Sequence, residues 1–154
     1  MVLTAENYYS REANEEYMSV SQYKDFAGTY GKMACEFTAM EKLNERWEEP
    51  KSKALMVGSY VDSYFEGTLD SKANNPDLFK RDGGLKAEYV KADEIIERIE
   101  RDAYFMKYMS GEKQVIMTGE LFGAKWKIKI DSYIPDVAIV DLKVMSSITR
   151  LEWV

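Results

Sequence analysis

The chain has 154 residues, 45% of them hydrophobic and 31% charged, which fits one soluble globular domain large enough for its own core. It contains no histidine and one cysteine, so Ser-His-Asp and Cys-His chemistry, His-ligated zinc and an internal disulfide are all excluded. The net charge of −6 sits awkwardly with a nucleic-acid partner, whose phosphates favour a basic face, and the sequence shows neither a signal peptide nor a membrane-length apolar run, which points to the cytoplasm.

In chain order, Ser19-Val20-Ser21-Gln22 has the form of a capping box and predicts a short helix with Tyr23 and Phe26 as buried anchors, interrupted by Gly28 and Gly31. From about Lys32 to Trp47, Met33, Phe37, Met40, Leu43 and Trp47 recur at helical spacing and predict a core-facing stripe. Pro50 ends that segment by restricting the residue before it. Ser52 is placed to cap a helix over about 53–66 that Gly67 closes. Its stripe of Leu55, Gly58, Asp62 and Phe65 sets a carboxylate on an apolar side, where burial is costly unless the group is paired or metal-bound. Capping by Asp62, or its pairing with a core lysine or tyrosine, is the structural alternative.

Residues 68–84, rich in Asn, Asp, Gly and Pro, read as a surface loop. Leu85, Tyr89, Ala92, Ile96, Ile99, Ala103 and Met106 then predict one long helix over about 85–109 that packs on a sheet or another helix. Ser110-Gly111-Glu112 turns the chain into a strand over about 113–122, in which Gly119 and Gly123 are candidates for a bulge.

The stretch from Lys125 to Lys143 alternates as two strands do. In the first, Trp126, Ile128 and Ile130 share one face, while Lys125, Lys127, Lys129 and Asp131 share the other. In the second, Asp141 and Lys143 project together. Tyr133-Ile134-Pro135-Asp136 supplies the turn, so the strands pair as an antiparallel hairpin that brings Asp131 beside Asp141, with Lys143 next to both. With the preceding strand this predicts an α+β fold: N-terminal helices followed by a three-stranded antiparallel meander. Two carboxylates and a lysine at adjacent strand ends suit metal-assisted phosphodiester hydrolysis. The carboxylates hold Mg2+ through hard oxygens, and the ammonium orients water or offsets charge on the phosphate. Lys125, Lys127 and Lys129 would concentrate positive charge on the same face. An ordinary amphipathic hairpin with a solvated charged face is the alternative.

Asp131, separated by nine residues from Asp141-Leu142-Lys143, resembles the PD-(D/E)xK nuclease superfamily. More narrowly, GSYVDSYFEG at 58–67 and GELFGAKWKIKIDSYIPDVAIVDLK at 119–143 resemble the RecE-type phage exonucleases. Leu3-Thr4, Asn7-Tyr8-Tyr9 and the segment from Met18 to Phe26 extend that resemblance over most of the chain. The resemblance implies a single nuclease domain over residues 1–154, whose fold matches the first part of the family's core, and Mg2+-dependent hydrolysis of linear DNA, with Mn2+ able to substitute. It implies Asp131 and Asp141 as metal ligands and Lys143 as the residue that positions the water. Asp62 stands where the family commonly has the His of Gly-x-x-x-His, and would support the metal. Glu120, on the preceding strand, is a further candidate ligand.

The sequence departs from the family at its C-terminal end. There the Asp-x-Lys strand leads to a helix bearing Gln-x-x-x-Tyr and a further strand, whereas here eleven residues follow Lys143. A fragment, a partner that supplies those elements, and a nuclease-derived acidic domain that binds without cleaving all stay open, as does an endonuclease on the same core. The strand over 137–143 would then lie at a sheet edge with apolar side chains on both faces, so a homo-oligomer or a covering partner is expected.

Overall fold

The computed structural model describes residues 1–29, 31–47, 50, 52–69 and 76–145. Its contacts divide the chain into two compact units. One comprises Met1–Pro50 with Ile116–Lys129, and the other Lys51–Val115 with residues 130–145. The fold is α+β, with N-terminal helices followed by antiparallel strands. The strands form two two-stranded sheets where the sequence predicts a single meander.

In the first unit, α1 (Arg11–Glu16) is capped by Ser10, and α2 (Val20–Ala27) opens on the expected capping box, with Ser19 and Gln22 satisfying each other's backbone N–H groups. The third helix is shorter than its periodicity suggests. α3 spans Glu36–Leu43 because Gly31 is left-handed (φ 79°) and Cys35 takes the N-cap, its sulfur accepting from Thr38 N. The stripe expected to be core is corrected here: Met33 is 91% and Phe37 70% exposed. What α3 buries is Ala39, and α1 likewise buries Ala13, so small residues set the approach of these packed helices. Tyr23 is half-exposed and packs on the Trp126 ring instead of entering the core. The expected helix stop at Glu48-Glu49-Pro50 falls largely outside the described residues.

Strands β1 (Val115–Leu121) and β2 (Ala124–Ile130) are joined by Phe122 and Gly123, both at positive φ (54° and 74°), which a two-residue type I′ hairpin turn requires. Gly123 is thus a turn residue and marks no bulge. Met18 bridges to this hairpin, donating to Lys125 O (2.8 Å) and accepting from Lys127 N (2.9 Å). The predicted basic face turns onto the N-terminal segment. Lys127 is 1% exposed and donates to Tyr8 O (2.6 Å) and Asn14 Oδ1 (2.7 Å). Lys125 pairs with Glu16 at 2.9 Å, and Lys129 lies over the Tyr9 ring at 4.8 Å. These lysines are spent on the fold of their own unit.

In the second unit, α4 (Lys53–Glu66) has the predicted bounds: Ser52 accepts from Leu55 N, and Gly67 closes it in the left-handed conformation. The loop after it is anchored through buried Leu78 in a single 3₁₀ turn and through a bridge between Phe79 and Leu85, while residues 70–75 lie outside the description. The long helix expected over 85–109 is two: α5 (Ala87–Glu100) and α6 (Ala103–Tyr108). Asp102 divides them, because its carboxylate accepts from Tyr104 N and Phe105 N at 3.1 Å each and starts a new helix. The four stripe residues inside α5, Tyr89, Ala92, Ile96 and Ile99, are buried and pack with Tyr60 and Val61 of α4. Each large apolar side chain so buried contributes about 1.5–3 kcal/mol.

Candidate functional site

The site begins where β2 ends. Asp131 separates β2 from β3 (Ser132–Ile134), which pairs antiparallel with β4 (Ala138–Val140) in the register Ser132↔Val140, Tyr133↔Ile139 and Ile134↔Ala138. Continued by one residue, that register sets Asp131 opposite Asp141. Pro135 and Asp136 form the turn, closed by Val137 N donating to Ile134 O at 3.0 Å, with Asp136 at φ 59° in the position where a type II turn needs a left-handed residue. Asp131 also crosses the hairpin, its Oδ2 accepting from Leu142 N at 2.7 Å.

Two features fix the base of this hairpin. Ser132 is fully buried, its hydroxyl donating to Tyr108 O (2.7 Å) and accepting from Gly111 N (3.0 Å). Gly111 approaches so closely that a Cβ there would stand 2.5 Å from Tyr133 O, which leaves room only for glycine. Glu112 and Tyr133 then exchange backbone bonds of 2.8 Å in both directions. Among the described residues of the second unit, this bridge is what stands beside β3 in place of a third strand.

Leu142 is buried, so Asp141 and Lys143 on either side of it point outward together, and Lys143 Nζ donates to Asp141 Oδ1 at 2.6 Å. Asp62, on α4, belongs to the same neighbourhood. Its carboxyl is pushed up to about 6, first by burial, then by the charges of Asp131 and Glu66 and, more weakly, Asp141, with Lys143 opposing. Asp62 Oδ1 is buried with no hydrogen-bond partner. That oxygen therefore makes no bond to a core lysine or tyrosine.

Of the predicted residues, Asp62, Asp131, Asp141 and Lys143 all lie in the second unit. Glu120 does not: it is an exposed residue of β1 in the first unit. Sequence reasoning missed three polar residues next to these groups. Lys113 donates to Met109 O, its ammonium held below the usual lysine range by burial while Asp131 pulls it back up. Gln114 donates to Glu66 at 2.8 Å. Glu66 follows Asp62 by one helical turn, a spacing that was available as a signal.

Among the described residues, no three His, Cys, Asp or Glu side chains converge tightly enough to cage an ion on their own. Mg2+ does not need such a cage, since one or two carboxylates and several waters suffice. An orphaned buried carboxylate oxygen beside further carboxylates, in a chain without histidine, is a donor set that fits a hard cation.

Residues 19–154, all but the first eighteen, match the family model described as PDDEXK-like domain of unknown function (DUF3799). The chain belongs to this PDDEXK-like family. Over its whole length it also resembles the crystal structure of a "Putative exonuclease" from Eubacterium rectale, with a TM-score of 0.92 and 76% identity. This chain spans 58% of the length of that protein. Among curated proteins, none matches it.

Proposed function

We propose that this PDDEXK-like domain is a Mg2+-dependent deoxyribonuclease, an exonuclease on linear DNA of the phage-recombination type, with Mn2+ able to replace Mg2+. The observation that carries the reading is the bond from Leu142 N to Asp131 Oδ2, which ties Asp131 to the strand end bearing Asp141 and Lys143. In this reading Asp131 and Asp141 hold the cation, Asp62 supports it from α4, and a bound Mg2+ supplies polarisation of the phosphate and a more acidic water. Lys143 orients that water and offsets charge on the scissile phosphate. In the structure its ammonium rests on Asp141, and it can turn to the phosphate once that carboxylate is engaged. Glu120 has no support from the geometry of this unit. The exonuclease description of the Eubacterium rectale relative favours attack at DNA ends.

Linear and circular duplex DNA, each with Mg2+ and with chelator, test this directly. Metal-dependent loss of the linear substrate alone is expected, and Lys143→Ala should lower it at least a hundredfold while keeping Mn2+ affinity. Cutting of circles would make the chain an endonuclease, and no cleavage of either would make it a binding domain.

A further inference from the structure

The polar residues behind Asp62 are not accounted for by the nuclease motif. Glu66 lies four residues after Asp62 on α4, so the two carboxylates share a helix face, an arrangement that is unfavourable for like charges. Glu66 Oε1 accepts from Gln114 Nε2 at 2.8 Å, and Oε2 accepts from Thr68 Oγ1 at 3.3 Å. Gln114 reaches Glu66 from a left-handed backbone (φ 55°), a conformation that a non-glycine residue adopts only where its surroundings impose it. Its remaining amide oxygen, Oε1, is buried and unpartnered, as is Asp62 Oδ1. These are the two orphaned buried side-chain atoms among the described residues, and both belong to residues flanking Glu66.

A buried acceptor with no donor costs about 1–3 kcal/mol, and two of them beside a like-charged helix pair form a site that gains from a cation. A hard cation, or water in its shell, is satisfied by carboxylate and amide oxygens alike.

We propose that Glu66 is a further oxygen ligand of the divalent cation at Asp62, and that Gln114 is the positioning residue that holds it. Gln114 contributes by its amide N–H, which holds the Glu66 carboxylate. This rests on the metal-dependent reading above and adds to it two residues that the Asp-x-Lys motif does not contain.

Mn2+ titration, followed by calorimetry and by the loss of the free-ion electron paramagnetic resonance signal, tests the proposal without reference to cleavage. Glu66→Gln is expected to weaken Mn2+ binding about tenfold, and Gln114→Leu about threefold. In the Glu66→Gln background, Gln114→Leu should cause no further loss, a non-additivity that a merely structural role for Gln114 would not give. Gln114→Asn, which keeps an amide but shortens its reach, should restore less than half of the lost affinity. If Glu66→Gln lowers the melting point of the metal-free protein, Glu66→Asp is read in its place, and unchanged Mn2+ affinity there overturns the proposal. Wild-type affinity in Glu66→Gln, or additive losses, also overturns it. Asp131→Asn and Asp141→Asn separate the two readings. If they weaken Mn2+ binding while the Glu66 variants do not, only this inference fails. If no variant matters, or the wild-type chain binds no Mn2+, both fail.

Discussion

Asp62 concentrates the chemistry of the second unit in one proton. Its pKa near 6 in the folded chain exceeds the ordinary aspartate value of about 3.9, so the metal-free native state holds this proton more tightly than the unfolded state does. That contribution to stability is fully present below about pH 4 and is lost as the pH rises through about 6. Cation binding has the opposite sense, because the ion requires the carboxylate. Mn2+ affinity should be about tenfold weaker at pH 5 than at pH 7, and Asp62→Asn should abolish that dependence along with much of the binding. An affinity that stays level across this range would remove Asp62 from the site. At Lys127 a charged side chain is structural instead. Lys127→Met would leave Tyr8 O and Asn14 Oδ1 without their buried donor, for a loss of about 1–3 kcal/mol visible as a lower melting temperature. A variant as stable as the wild type would mean that those acceptors find water.

The elements show which sequence signals survive folding. The Ser52 cap and Gly67 stop of α4, the capping box of α2 and the register of Asp131 against Asp141 were legible because each depends on residues close in sequence. The split between α5 and α6 was not, since an unbroken apolar period concealed the competing capping bonds of Asp102. Alternation gave the two faces of β2 correctly but could not say which face would be covered. The Tyr8 and Asn14 acceptors that draw Lys127 inward lie more than a hundred residues away. Gln114 stayed hidden for the same reason, being joined to Glu66 only by the fold, whereas the helical spacing of Glu66 from Asp62 was there to be read. β4 keeps its expected character, with Ile139 64% exposed on it and Val137 67% exposed just before it, on a short strand that among the described residues pairs with β3 alone. Such an edge invites pairing with another chain. The 154-residue chain is therefore expected to self-associate in light scattering at high micromolar concentration, and Ile139→Lys should return it toward monomer. A wild-type chain that stays monomeric throughout would show the edge to be protected.

At the scale of the whole molecule, the difficulty is how the proposed nuclease, with a net charge of −6, would engage a polyanion. Several of its positive side chains are paired with acidic partners. Lys32 and Lys42 pair with Asp25, Arg46 with Glu41, Arg101 with Glu97, Lys125 with Glu16 and Lys143 with Asp141. Surface pairs of this kind add little stability, but each one lowers the local positive potential that DNA would meet. In the proposed nuclease the bound cation, in place of a basic surface, must supply much of the attraction for phosphate. Two consequences can be measured by fluorescence anisotropy with a labelled duplex and the Lys143→Ala variant in Ca2+, with chelator as control. Binding should require the divalent ion. The slope of log affinity against log monovalent salt should be no steeper than about −3, the value for roughly three neutralised phosphates at about −0.9 each. A steep slope without divalent ion would reveal a basic surface built from the lysines and arginines outside these pairs, and would move the DNA contact away from the Asp131–Asp141 hairpin.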